Sequence, residues 1–270
     1  MILEISSYEN SVIKHTRQLL IRKYREKFNE YMIEGVRITK DALLYNQKIV
    51  YILFCESIYN TAGGKELLDD LMNRNIKIYK ISDKIFKELS DTENTQGIIA
   101  VLSYNEYDLK EILNKNDGLY VVLDRIQDPG NLGTIIRSAD ASGADAVILS
   151  KGCVDLYNLK TIRSTMGSIF HLPIVKMGET LEIVKQLKQE AVQIISTSLD
   201  TNKYHYDVEY RKSTAFVIGN EANGVSEEVL KEADALVKIP MIGKAESLNA
   251  AVAAAIVMYE AVRQRHSNKI

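Results

Sequence analysis

The sequence predicts an α/β protein in two parts: a smaller α/β domain, then a larger one built on a mostly parallel sheet. Three observations predict it. Strand-like runs alternate with helical periodicity along the chain. The runs after position 118 are apolar without alternation, as in strands covered on both faces. All three prolines and ten of the fourteen glycines lie at or after position 118, so the second part is where the backbone must turn tightly. A length of 270 residues is also near the limit for a single core, which favours two domains.

In the first part, Val12, Ile13, Leu19, Leu20 and Tyr24 recur at near-helical spacing and predict a helix over 10–26. A strand at 30–35, a helix near 36–46, a strand at 49–55, a helix at 65–74 and a strand at 76–81 follow. A short helix at 83–89 and a strand at 97–103 complete the domain. The polar stretch 103–118 reads as a linker with at most a short helix. Strands are then predicted at 119–124, 145–150, 192–197, 214–219 and 235–240. Helices are predicted at 132–142, about 179–190 and 226–233, with a long one after Ser247. The resulting division is 1–103, a linker at 104–117, and 118–270.

Composition excludes several classes. Thirty-four basic against 36 acidic residues produce no global field for nucleic acid. Cys55 and Cys153 stand alone, and His15, His171, His205 and His266 are scattered, so neither a disulfide framework nor a metal site is expected. Glu4 precedes any apolar run, and the longest such run, 250–259, is too short for a bilayer. A cytoplasmic protein with no membrane partner is expected.

In parallel sheets, ligands bind beyond the carboxyl ends of the strands. Three segments fall there. In DRIQDPGNLGTIIR (124–137), Asn131 is placed to cap a helix, with Arg137 about 9 Å further along the axis. Arg137 either leans back over the turn to meet an anionic group or pairs with an acid such as Asp140. In GNEANG (219–224), a tight loop leaves Glu221 little room to point away from the strand ends; a solvated glutamate is the alternative. In IPMIGKAESLN (239–249), Ser247 is expected to cap the last helix, with Asn249 in its first turn. Between Leu248 and Val262 only Asn249 and Glu260 are polar, so that helix is expected either to pack against a second subunit or to run through its own domain.

Residues 10–40 carry eight basic against three acidic residues, Lys14, Arg17, Arg22, Lys23 and Arg25 among them. Such a patch can follow an RNA backbone, with Tyr24 and Tyr31 stacking on bases; a solvated helix face is the alternative.

Three motifs in this order, NLGTIIRSA (131–139), VIGNEANGVS (217–226) and IPMIGKAESLNAAVAAAI (239–256), resemble those of the SpoU (TrmH-type) RNA ribose 2′-O-methyltransferases of the SPOUT class. The resemblance covers about 118–265. Residues 1–103 more loosely resemble the ribosomal-protein-like substrate-binding domain often placed before it. Ala222 stands where many relatives carry glycine. The resemblance implies a C-terminal trefoil knot, a homodimer through that domain, and an RNA substrate, most readily ribosomal. It further implies that Asn131, Arg137, Glu221, Ser247 and Asn249 form the catalytic set, and that Gly219, Ile239 and Leu248 hold S-adenosylmethionine, with no metal. A transfer-RNA enzyme and a non-catalytic RNA-binding protein of the same fold are the alternatives. An oxidoreductase is disfavoured, because no GxGxxG follows LYVVLD and no acidic residue closes DAVILS.

Overall fold

The computed structural model describes residues 2–92, 94–113 and 116–266. Two positions of the expected linker, 114 and 115, and the last four of the expected second domain, 267–270, lie outside these. The chain divides into two compact units: Met1–Asn105 with Tyr157–Ile162, and Glu106–Leu156 with Arg163–Ile270.

The first unit holds β1 (Ile2–Ile5), α1 (Ser11–Gln18), α2 (Arg22–Phe28), β2 (Glu30–Glu34), α3 (Val36–Leu44) and β3 (Ile49–Phe54). After a 3₁₀ turn come α4 (Gly64–Met72), β4 (Lys77–Ile81), α5 (Asp83–Leu89) and β5 (Ile98–Ser103). Its sheet has the order β1-β4-β3-β5-β2; β1, β4 and β3 run parallel, and β5 lies antiparallel to both β3 and β2. Strand β1 was not expected, because Ile2 and Leu3 are exposed on an edge strand and leave no buried alternation to read. The helix expected over 10–26 is two helices. Leu19 is buried at the break, and Ile21 is extended at the start of α2. The Leu19 carbonyl freed there accepts from Arg25 Nη1 at 2.6 Å.

The second unit holds α6 (Leu109–Ile112), β6 (Leu119–Leu123), α7 (Pro129–Ala141), β7 (Ala146–Leu149), the end of α8 (Leu159–Thr165), β8 (Ile174–Lys176) and α9 (Thr180–Gln189). Then come β9 (Gln193–Thr197), β10 (Thr214–Ile218), α10 (Glu227–Glu232), β11 (Ala235–Val237) and α11 (Ala250–His266). Its six strands are all parallel, ordered β11-β9-β10-β6-β7-β8. Strand β8 was missed because it is only three residues long. The short helix of the expected linker is α6, whose Leu109 joins Leu113 in the core formed by Tyr120, Val122, Ala215 and Val217. The chain leaves β6 toward β7 on one side and later returns through β9 and β10 on the other, which makes the β6/β10 boundary a topological switch point.

Candidate active site

At the end of β6 the chain turns sharply, with Arg125 at φ +55°. Its guanidinium clasps the buried Asp124, Nε to Oδ1 at 2.9 Å and Nη2 to Oδ2 at 3.1 Å. Thr180 Oγ1 donates to Asp124 Oδ1 at 2.7 Å, and the Ser226 amide to Oδ2 at 3.2 Å. One carboxylate thus fixes the end of β6 to the starts of α9 and α10. Asp128, not Asn131, caps α7: its Oδ1 accepts from the Asn131 amide at 2.7 Å, with Pro129 in the first turn. The helix starts two residues before Asn131, which frees the Asn131 side chain for other work.

The loop after β10 closes on itself through paired backbone bonds between Asn220 and Gly224. Gly219 makes this possible, since a Cβ there would lie 2.3 Å from the backbone of Gly224 and Val225. Asn220 Nδ2 donates to the Arg125 carbonyl at 2.7 Å and straps this loop to the turn after β6. Glu221 then reaches across. Its carboxylate accepts from the Gln127 amide (3.1 Å), the Asp128 amide (3.2 Å) and Asn131 Nδ2 (2.9 Å). Partial burial pushes this carboxyl up, but the Asn131 amide and the backbone donors outweigh it and hold it below its ordinary value.

The third segment joins through Asn249. Its Nδ2 donates to Asn131 Oδ1 at 2.8 Å, and its Oδ1 accepts from the Ala251 amide at 2.9 Å. Asn249, not Ser247, therefore caps α11; Ser247 stays exposed in the preceding loop, two residues and at most about 7 Å along the chain. Arg137 is exposed on α7 and, among the described residues, has no hydrogen-bond or ion-pair partner. Asp140, its alternative partner, instead bonds His171 Nδ1 at 2.7 Å. The geometry brings Asn131, Glu221 and Asn249 into one network and leaves Arg137 and Ser247 outside it. Sequence reasoning missed Asp124, Gln127, Asp128 and Asn220, although all lie in the segments it singled out.

From Ile239 to Leu248 neither backbone nor side chains make a hydrogen bond to any described residue. Ile239 and Leu248 are half-buried, while Ile242 is 94% exposed. Unused amides and carbonyls beside apolar side chains suit a mixed polar and apolar ligand held mainly by backbone groups. Among the described residues no cluster of His, Cys, Asp or Glu could hold a metal ion, and no helix is long and apolar enough to cross a membrane.

On the proposed RNA face, Lys14 pairs with Glu9, Arg17 with Glu88 and Arg22 with Glu26. Arg25 is buried against Leu19 rather than presented to solvent, because its guanidinium repairs the break between α1 and α2. Tyr31 is also buried, its ring 4.3 Å from that of Tyr157, so it cannot stack on a base.

The sequence matches the SpoU rRNA Methylase family over residues 118–259 and an MRM3-like substrate binding domain over 10–100. The chain belongs to the SpoU rRNA methylase family. It is 36% identical over 256 residues to the 23S rRNA (guanosine(2553)-2′-O)-methyltransferase RlmP of Bacillus subtilis, covering 95% of this chain and 98% of that one. It is 34% identical to a 23S rRNA (uridine(2479)-2′-O)-methyltransferase of Streptomyces viridochromogenes, covering 92% and 88%. The crystal structure of an AdoMet-bound rRNA methyltransferase from Sinorhizobium meliloti superposes with a TM-score of 0.87 at 32% identity, covering 97% and 98%.

Proposed function

We propose that this chain transfers a methyl group from S-adenosylmethionine to a ribose 2′-hydroxyl of ribosomal RNA. The observation that carries this is the hydrogen-bonded line Asn249–Asn131–Glu221, which draws the loops after β6, β10 and β11 to one place. The cofactor supplies an electrophilic methyl for in-line displacement. The unused backbone groups of 239–248 and the close approach at Gly219 provide its cradle, with Ile239 and Leu248 as the apolar contacts.

The protein's own residues then position the acceptor. Arg137 has no hydrogen-bond or ion-pair partner among the described residues and presents a guanidinium fork to the phosphate beside the target ribose. It is not a base at neutral pH. Glu221 stays ionised with three donors on its carboxylate, so it organises the loops rather than accepting the ribose proton. Asn131 and Asn249 hold the start of α7 against the start of α11, and Ser247 lies close enough on its loop to contact ligand.

In this reading residues 1–103 bind RNA, 104–117 connect, and 118–270 form the methyltransferase domain with its trefoil knot. A homodimer is supported by α11, whose Val252 and Tyr259 stay exposed on one face seven residues apart. A cytoplasmic location agrees with ribosomal RNA as substrate.

The test is transfer of labelled methyl to unmodified 23S rRNA, with mapping of alkali-resistant linkages. Arg137→Ala should lower transfer by about a hundredfold or more, the scale for losing one preorganised donor. Calorimetry should show S-adenosylmethionine binding nearly intact. Undiminished turnover in Arg137→Ala would remove Arg137 from the mechanism.

A further inference from the structure

We propose that the first unit grips the substrate RNA through backbone phosphates held by Arg37 and Lys40 at a cavity beside α3, rather than across the α1–α2 face. The inference rests on the reading of the chain as an RNA methyltransferase and names where that RNA is held. The cavity has a volume of about 420 Å³ and is lined by Val36, Arg37, Lys40, Asp41, Thr61 and Gln96. That is room for a nucleotide-sized group. Arg37 and Lys40 are three residues apart on one helix face, so both cations address the same opening. Asp41 is the acid in this lining, and two cations against it leave the cavity positive.

Charge availability separates the two surfaces. On the α1–α2 face, Lys14, Arg17 and Arg22 are each paired with a glutamate, and Arg25 is buried. Arg37 and Lys40 are exposed and, among the described residues, have no hydrogen-bond or ion-pair partner. A phosphate at Lys14, Arg17 or Arg22 must displace a carboxylate, which leaves Lys23 as an exposed cation of α2 with no ion-pair partner among the described residues, whereas Arg37 and Lys40 offer two such cations together on one opening. The start of α3 is not what the site offers, because Gln96 Oε1 already accepts the Val36 amide at 2.7 Å. The rim is shaped around Lys40 instead. A Cβ on Gly63 would sit 2.6 Å from Lys40 Nζ, and Gly63 adopts φ +75°. A side chain at 63 would both strain the backbone and push the ammonium off the opening.

The test is filter binding of the full chain to unmodified 23S rRNA transcribed in vitro, between about 50 and 200 mM salt. The paired substitution Arg37→Gln, Lys40→Gln should weaken binding about tenfold or more and reduce the slope of log affinity against log salt by about 2, one per lost phosphate contact. Arg17→Gln with Arg22→Gln, which removes two cations already paired with glutamates, should leave that slope close to wild type. Both variants should keep wild-type affinity for S-adenosylmethionine by calorimetry, which shows that they fold. Wild-type slope and affinity in the cavity variant would overturn the proposal, as would an equal loss in the α1–α2 variant. Displacement of the RNA by about 1 mM inorganic phosphate at matched ionic strength would mark a small-anion site and also overturn it. Wild-type protein that binds this RNA but methylates none of its riboses would count against the proposed activity and leave the cavity assignment standing.

Discussion

Glu221 shows how much one side chain does when its environment is specified. Its carboxylate accepts from two backbone amides and from Asn131, and its pKa is held below the usual 4.5. A carboxyl depressed by folding contributes stability that is fully present above the unfolded pKa and is lost as pH falls through the folded one. Glu221→Gln should therefore flatten part of the loss of stability below about pH 4.5, seen as urea midpoints measured from pH 3 to 7. The same variant turns an amide toward donors that need an acceptor, and should lower methyl transfer about tenfold to a hundredfold at neutral pH. An unchanged acid limb would show that the network does not form in solution. Gly219 is as demanding in a different way. Gly219→Ala places a Cβ 2.3 Å from backbone atoms that cannot withdraw, so the loop carrying Glu221 must move and transfer should collapse. A variant that keeps wild-type transfer would contradict the packing described.

At the scale of elements, most of the second sheet was legible because buried parallel strands are continuous apolar runs. What escaped had a physical cause. Strand β8 is too short to show a period, and the long first helix broke where the Arg25 guanidinium stands in for a helical turn at Leu19. Both expected helix caps, Asn131 and Ser247, were displaced by two or three residues, to Asp128 and Asn249. A spacing argument cannot separate neighbouring polar residues that serve equally well as caps. The pattern places Asn131, Glu221 and Asn249 at the sheet mouth, but the line that joins them, and that leaves Arg137 and Ser247 outside, depends on long-range contacts that no local pattern carries. The clasp on α11 is of the same sort: Arg265 donates to the carbonyls of Tyr210, Asp117, Gly118 and Lys212. Arg265→Ala should cost about 2 kcal/mol, or about 4–8 °C in melting temperature for a chain of this size. A shift under a degree in calorimetry would show that the clasp is dispensable.

For the whole molecule, the terminal helix is apolar around nearly its circumference, and α11 buries one side of it in its own unit while leaving apolar side chains on the other. Ala254, Val257, Met258 and Ala261 are buried, Glu260 is held by Arg263 and Gln264, and Val252 and Tyr259 face outward. The outward pair belongs to the proposed subunit interface. Val252→Asp with Tyr259→Asp should halve the mass measured by light scattering, and a wild-type chain that is already monomeric would contradict the dimer. The larger claim is that three separate loops act as one device. Its most direct test is a double-mutant cycle on methyl transfer to 23S rRNA, pairing Asn249→Ala with Glu221→Gln. Residues that work as a unit lose their effect together, so the double variant should be scarcely slower than the worse single one. Losses that multiply independently would mean that the loops meet in the structure without sharing a function.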